Sequence, residues 1–305
     1  MKDKTRLIIG SAIALIAVIL AGSYLYEKYP PGQAREKTRE VRFLSGNLQL
    51  QGTLYFPDKG AGRQPGIVLC HGSSKYGRRL ALYAAMAHEF NALGYVVLCF
   101  DFRGYGQSQE PHPIRTFMDL DFVQDISAAI GCLTAVQGVD GNRIYVVGHS
   151  FGAGVALAAA VRDPRSRKTV SISPGRRTQE LFFGPNAENP AYPAARMSQD
   201  MGISPPIADE LINPHLIDYA AETLLRYPVH PPVLFIDGSR EAAEDLAFLR
   251  RVAQEMTPPT AYITIQGADH YFGTSRNQQA QNPLVYDKAI VTDLVTRIDG
   301  WLRQP

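Results

Sequence analysis

Cysteine is scarce in this sequence. The chain of 305 residues has three cysteines, and no two of them form a Cys-x-x-Cys pair. A disulfide scaffold and a zinc site built on paired cysteines are therefore excluded. Phosphate-binding loops, dinucleotide-binding fingerprints and the His-Glu-x-x-His motif are also absent. We accordingly expect a protein that uses no cofactor and no metal.

Excess charge of one sign is also lacking. The net charge is +2, and residues 1–42 hold eight Lys and Arg against four Asp and Glu. The first 42 residues thus contribute +4, and the remaining 263 sum to −2. Because the body is slightly acidic, the sequence predicts no nucleic-acid partner.

One long uncharged segment is present at residues 7–26, directly after a basic N-terminus at residues 1–6. Twenty largely apolar residues match the thickness of a bilayer, and Tyr24 and Tyr26 suit its far interface. We expect a single-pass membrane anchor. An alternative is a secretory signal, with about 14 apolar residues before a cleavage site at Ala21-Gly22-Ser23. A third interpretation is a structural helix in a cytosolic protein.

Both membrane interpretations place the rest of the chain outside the cytoplasm, because the compact basic cluster stays inside. Five Lys and Arg between residues 28 and 42 act against this orientation. Residues 27–42 are polar, contain Pro30-Pro31-Gly32 and are predicted to form a linker.

Strand and helix patterns alternate along the remaining chain. A hairpin is predicted at residues 40–44 and 48–55, followed by apolar strands at 66–70, 95–100, 143–147, 169–172, 232–236 and 261–265. Helices are predicted at residues 80–93, 117–137 and 152–161. Apolar strands that alternate with helices favour an α/β fold with a mostly parallel sheet covered on both faces. We predict one domain at 43–305, with a helical cap inserted at the proline-rich residues 175–230.

The strongest chemical signal is Gly148-His149-Ser150-Phe151-Gly152, a G-x-S-x-G motif directly after a predicted strand. A sharp turn from strand to helix needs small neighbours and lifts the serine hydroxyl to the open end of the sheet. A serine hydroxyl attacks a carbonyl only with the help of a base. His270 follows the last predicted strand in a glycine-containing loop and is the candidate for that base.

Four motifs in this order resemble those of the α/β-hydrolase family, over roughly residues 41–301. They are Cys70-His71-Gly72-Ser73-Ser74, Asp101-Phe102-Arg103-Gly104-Tyr105-Gly106-Gln107-Ser108, the G-x-S-x-G motif and Gly267-Ala268-Asp269-His270. The resemblance implies an α/β-hydrolase fold, a catalytic Ser150 and His270, and bracing roles for Asp101 and Arg103.

The same resemblance implies the acid of the triad. The family pattern H-G-x-x-D corresponds here to Asp237-Gly238-Ser239-Arg240-Glu241, which places Glu241 at the acid's position. A glutamate can hold the imidazole in its working tautomer, as in known variants of this triad. Asp237 and Glu244 remain alternatives. We expect His149 to pack away from the reaction centre and His71 to shape its turn.

Two backbone amides are expected to form the oxyanion hole. Phe151 follows the nucleophile at the start of a helix, and Ser73 follows the His71-Gly72 turn, with Ser74 as the alternative for this second donor. The three cysteines are expected to be buried free thiols. A cross-strand disulfide between Cys70 and Cys99 is a less favoured alternative.

The sequence thus predicts a membrane-anchored or exported serine hydrolase that cleaves a carboxylic ester through an acyl-enzyme. Its predicted partners are a small-molecule or peptide acyl substrate and the membrane. A serine peptidase and a thioesterase share the same residues and stay open as alternatives. A catalytically inactive, membrane-tethered binding protein is the alternative from another class.

Overall fold

A computed structural model describes residues 37–58, 62–74, 76–111, 120–174, 230–256, 260–275, 278–281 and 284–305. The predicted anchor at 7–26 and residues 175–229 of the predicted cap lie outside these ranges. Within the ranges, no helix combines the length and the apolar character needed to cross a membrane.

Eight strands form one sheet in the order β1-β2-β4-β3-β5-β6-β7-β8. Strands β1 and β2 pair antiparallel to each other, β2 pairs antiparallel to β4, and all later pairs are parallel. The strands are β1 (Lys37–Ser45), β2 (Leu48–Phe56), β3 (Gln64–Cys70), β4 (Val96–Phe100), β5 (Val139–His149), β6 (Lys168–Ile172), β7 (Val233–Gly238) and β8 (Thr260–Ile265).

The helices of the described ranges cover both faces of this sheet. They are α1 (Ala81–Ala92), α2 (Phe122–Thr134), α3 (Phe151–Arg162), α4 (Ala243–Glu255) and α5 (Lys288–Leu302). Helices α1 and α5 share one apolar core with the sheet, α2 and α3 pack in a second core on the opposite face, and α4 packs with α3 in a third. Residues of β4, β6 and β7 are buried throughout, as expected for strands covered on both sides. The predicted α/β class and mostly parallel sheet are confirmed.

Several element bounds differ from the sequence-based prediction. Strand β1 begins at Lys37, three residues before the predicted start at residue 40, so the end of the predicted linker pairs with β2. Strand β5 begins at Val139, four residues early, and α2 is shorter than predicted at both ends. Helices α4 and α5 were not predicted at all.

All three cysteines are free: Cys70 and Cys99 are buried as expected, whereas Cys132 is only partly buried. Cys70 cannot reach Cys99. Residue Leu69, not Cys70, pairs with Cys99 across β3 and β4. Because side chains alternate along a strand, Cys70 lies in the core beside α2 and α3 while Cys99 lies in the core beside α1 and α5. The alternative of a cross-strand disulfide is therefore wrong.

Candidate active site

Ser150 occupies a strained turn between β5 and α3. Its backbone angles are φ 55° and ψ −120°, a region that side-chain-bearing residues rarely adopt. The turn closes only because its flanking positions are glycines. A Cβ on Gly152 would lie 2.4 Å from the carbonyl oxygen of His71, and one on Gly148 would lie 2.3 Å from that of Gly152. The G-x-S-x-G spacing thus follows from sterics.

In the structure the side chains of Ser150, His270 and Glu241 contact one another in that order. Ser150 Oγ lies 3.1 Å from His270 Nε2, and His270 Nδ1 lies 3.4 Å from Glu241 Oε2. The three residues follow β5, β8 and β7, whose carboxyl ends meet at the same edge of the parallel sheet. The His270 side chain is 34% exposed and that of Glu241 is 9% exposed, so the imidazole is open to solvent while the carboxylate is sheltered.

Glu241 is held by donors at its second oxygen. Oε1 accepts hydrogen bonds from Ser173 Oγ and, at 3.3 Å, from the Gly238 amide. Burial raises the pKa of this carboxyl, but the hydrogen bonds and charge of His270 and the bond from Ser173 outweigh it and hold the pKa below its usual value. Glu241 is therefore an ionised acceptor facing His270.

Ser173 was missed by the sequence analysis. It follows β6 with a positive φ of 47°, and its amide donates to Ile236 O at 2.7 Å. A polar residue at the carboxyl end of a parallel strand is the signal that could have found it.

The two alternative acids lie elsewhere. Asp237 is buried within β7, and its Oδ2 is 3.5 Å from Tyr262 Oη rather than at the imidazole. Burial, followed by the charges of Glu241 and Asp245, raises the pKa of Asp237 to about 8. Glu244 is exposed in the first turn of α4.

His149 differs from expectation, because it is tied to the site by polar contacts. Its Nε2 lies 2.7 Å from the carbonyl oxygen of His270, and its Nδ1 lies 3.0 Å from Tyr83 Oη. Tyr83 Oη in turn accepts a hydrogen bond from the Gly72 amide at 2.6 Å. His149 is buried among rings, as expected of a packing residue, but its polar contacts were not predicted: apart from its position beside Ser150, nothing in the local sequence indicates them.

His71 shapes its turn as expected. Its Nδ1 contacts Gly72 O at 2.7 Å, and its Nε2 accepts from the Phe102 amide at 3.1 Å. Burial lowers the pKa of this imidazole, which keeps it neutral. The loop after β3 is thereby joined to the loop after β4.

Of the two expected oxyanion donors, Phe151 directly follows the nucleophile and Ser73 lies in the loop after β3. Phe151 is the first residue of α3, and helix-start amides have no acceptor within their own helix. Its ring packs against Phe102, Tyr105 and Phe122 at 5.1 to 6.1 Å between centroids. Ser73 follows Gly72, whose Cβ position would be only 2.9 Å from Ser150 Cβ.

Buried ion pairs brace the loop after β4, as the motif implied. Arg103 Nη2 contacts Asp125 Oδ1 at 2.6 Å, and Asp101 pairs with Arg78. Arg78 also reaches Glu40 in β1 at 2.7 Å. In the described part of the chain, no three His, Cys, Asp or Glu side chains are arranged to hold a metal ion.

Comparison with known proteins identifies related chains. A family model described as alpha/beta hydrolase family matches residues 67–295. The quorum-quenching protein AidA of Acinetobacter baumannii is 35% identical over 136 residues, which are 44% of this chain and 43% of that protein. The match thus spans less than half of that relative's length.

Two solved structures share the fold. The hypothetical protein PA2218 of Pseudomonas aeruginosa is similar with a TM-score of 0.62 and 19% identity, covering 91% of this chain and 96% of that one. The esterase Pf2001 of Pyrococcus furiosus has a TM-score of 0.56 and 19% identity, covering 90% and 95%. At this identity the likeness concerns the fold alone.

Proposed function

The chain belongs to the alpha/beta hydrolase family, and on that premise we propose that it is a serine hydrolase that cleaves carboxylic esters through an acyl-enzyme. The observation that carries the proposal is the 3.1 Å contact between Ser150 Oγ and His270 Nε2, with Glu241 on the other side of the imidazole. A nucleophile, a base within hydrogen-bonding reach and a third group that orients the base are the requirements of such chemistry.

The proposed reaction starts with Ser150. Its oxygen attacks the ester carbonyl carbon while its proton passes to His270 Nε2. The tetrahedral intermediate collapses, the alcohol leaves with the proton from His270, and the acyl group stays on Ser150. Water then gives a proton to His270 and attacks the acyl carbon, and the carboxylic acid departs as Ser150 recovers its proton.

The amides of Phe151 and Ser73 are proposed to bind the oxyanion of both intermediates. Removing one such donor in other hydrolases lowers kcat by about 10²–10³-fold. Glu241 is proposed to keep the Nδ1 proton in place, so that Nε2 is free to accept the serine proton. No step requires a cofactor.

Labelling with a fluorophosphonate probe tests the nucleophile. We expect the wild-type chain to be labelled at Ser150, and Ser150→Ala and His270→Ala to lose labelling, since a general base contributes about 10²–10⁴-fold. Ser166→Ala is the matched control. Ser166 is a buried serine just before β6, at the opposite edge of the sheet, and bonds to Lys168 O at 3.2 Å. An unlabelled wild-type chain would support the inactive binding protein instead.

A substrate panel separates the enzyme classes that share these residues. If the ester proposal is right, we expect p-nitrophenyl esters to be cleaved faster than aminoacyl anilides or acyl thioesters. Faster anilide cleavage would indicate a peptidase, and faster thioester cleavage a thioesterase. In either case the ester assignment is wrong although Ser150 is the nucleophile.

A further inference from the structure

We propose that Tyr83 and His149 are positioning residues that hold the loop of Gly72 and the main chain of His270 in register with Ser150. The inference rests on the proposed function. It concerns two side chains that do not touch the reacting atoms but connect the segments that do. Both are almost fully buried, at 1% exposure each.

The direction of every hydrogen bond in this connection is fixed by its neighbours. The carbonyl oxygen of His270 can only accept, so His149 Nε2 carries a proton and donates to it. Burial, and then the charge of His270, lowers the pKa of His149 to about 3, so its Nδ1 is an unprotonated acceptor. Tyr83 therefore donates its hydroxyl proton to Nδ1 and accepts from the Gly72 amide.

The connection spans most of the carboxyl edge of the parallel sheet. Gly72 follows β3, His149 ends β5, and His270 follows β8, three strands farther along. His149 directly precedes Ser150, whose own amide donates to Ile172 O at 2.9 Å. The backbone of Ser150 is thus fixed to the sheet. Its neighbour His149 positions His270 through one ring nitrogen and, through Tyr83, the loop of Gly72 through the other.

The groups remain uncharged throughout the ordinary pH range. Burial raises the pKa of the Tyr83 hydroxyl far above its usual value and lowers that of His149. Neither can exchange protons with substrate near neutrality. Their effect is on distance and orientation, to which catalysis is sensitive.

Substitutions can separate the two ends of the connection. Tyr83→Phe removes the hydroxyl and leaves the Gly72 amide and His149 Nδ1 unpaired. In His149→Gln, the amide nitrogen can replace Nε2 toward His270 while the contact to Tyr83 is lost. In His149→Asn, the amide oxygen can replace Nδ1 toward Tyr83 while the His270 carbonyl loses its donor.

Steady-state kinetics of the full chain with p-nitrophenyl acetate provide the first test. We expect Tyr83→Phe and His149→Gln each to lower kcat about tenfold with KM changed less than twofold, a loss equivalent to one hydrogen bond. Because both break the same link, the double variant should lose no more than either single one. His149→Asn should lower kcat further, since it releases the base. The proposal would be overturned if the fold-losses in kcat of the two single variants multiply in the double variant. It would also be overturned if kcat is unchanged in Tyr83→Phe, His149→Gln and His149→Asn.

Tyr95→Phe is the matched control. Tyr95 is equally buried and donates to Asp299 at 2.8 Å, away from the sheet edge that carries Ser150. It should lower the unfolding midpoint as much as Tyr83→Phe does and leave kcat unchanged. An equal loss of kcat in Tyr95→Phe would mean that general destabilisation, not positioning, explains the result.

NMR of the full chain with ¹⁵N-labelled histidine tests these hydrogen bonds independently of any activity measurement. We expect the His149 ring to remain neutral with its proton on Nε2 from pH 5 to 9, and its Nδ1 resonance to shift in Tyr83→Phe. A ring that titrates in this interval contradicts the positioning proposal. A wild-type chain with this NMR signature but neither ester cleavage nor probe labelling contradicts the proposed function alone.

Discussion

Both carboxylate oxygens of Glu241 act as hydrogen-bond acceptors. Oε2 faces the His270 ring, and Oε1 accepts hydrogen bonds from the Ser173 hydroxyl and the Gly238 amide. A glutamine offers one acceptor and one donor at the same two places. The fixed Gly238 amide favours the amide oxygen on its own side, which turns the NH₂ group toward His270 and favours the wrong tautomer of the ring.

We therefore expect Glu241→Gln to lower kcat by about 10²–10⁴-fold, with the chain still folded. The measurement is kcat for a p-nitrophenyl ester together with a thermal melt. Glu244→Gln, which changes an exposed glutamate of α4, should keep kcat within twofold. A larger loss in Glu244→Gln than in Glu241→Gln would identify the other acid.

Asp237 gives the protein a stability that depends on pH. An unfolded aspartate titrates near pH 4, whereas in the fold its pKa is about 8, first because of burial and then because of Glu241 and Asp245. The folded state holds the proton more tightly, so the free energy of unfolding falls as the pH rises from about 4 to about 8. Above the folded pKa this contribution is fully lost.

Asp237→Asn should remove this dependence. We expect a higher melting temperature than wild type at pH 8, a gain on the order of a few kcal/mol, and little difference at pH 4. Thermal melts at pH 4, 6 and 8 measure it. Asp293→Asn, at a partly exposed aspartate of α5, makes the same chemical change and should alter stability little at any pH. Parallel curves for wild type and Asp237→Asn would contradict the pKa of about 8.

At the scale of elements, the turn from β5 to α3 depends on close backbone contact. A methyl group on Gly152 would lie 2.4 and 2.7 Å from the carbonyl oxygens of His71 and Cys70. Backbone atoms of a central strand cannot move aside cheaply. Gly300 in α5 is the opposite case, since a Cβ there would meet no atom within 4 Å.

Substitution by alanine should therefore change the free energy of unfolding in opposite directions at the two glycines. Gly152→Ala should lower the free energy of unfolding by about 3 kcal/mol, and Gly300→Ala should raise it by roughly 0.5–1 kcal/mol because alanine favours helix. Urea titrations measure both. A neutral Gly152→Ala would mean that the turn is looser than its geometry indicates.

Local sequence patterns predicted the central strands and the strand-end motifs, but not all helices. Helix α4 buries only Leu249 and Val252 fully, which leaves too thin an apolar stripe for periodicity to detect. Helix α5 did carry a signal, an Asp287 cap followed by apolar residues spaced three and four apart. This helix could therefore have been predicted from the sequence.

The site was predictable only where a residue adjoins a motif. Ser150, His270 and Glu241 follow strands and occupy motif positions, and the structure has their side chains in contact. The contact of Tyr83 with His149 joins residues 66 positions apart. It depends on how α1 packs on the sheet, which no local pattern contains.

At the scale of the whole molecule, the compact unit begins at Lys37. A chain cut at Val41 would lack four β1 residues, among them Glu40, which contacts Arg78 and Thr53. Experiments on a shortened chain should therefore start at Lys37 or earlier.

We propose that residues 7–26 anchor the chain in a membrane, since 20 uncharged residues can span a bilayer. After carbonate extraction of cells, the full chain should remain in the membrane pellet, and a chain starting at Lys37 should appear in the supernatant with the same kcat. A mature chain that begins near Ser23 by mass spectrometry would indicate a cleaved signal instead. A full chain in the supernatant would contradict both.

The placement of Cys70 and Cys99 on opposite faces of the sheet makes the state of this pair independent of the redox compartment. Cys70 and Cys99 are buried, and burial raises the pKa of both thiols, so little reactive thiolate forms. Under oxidising conditions these two cysteines cannot form a disulfide with each other, and under reducing conditions there is no disulfide to break. Neither an oxidising nor a reducing compartment is therefore needed to keep these two thiols in the state that the fold requires.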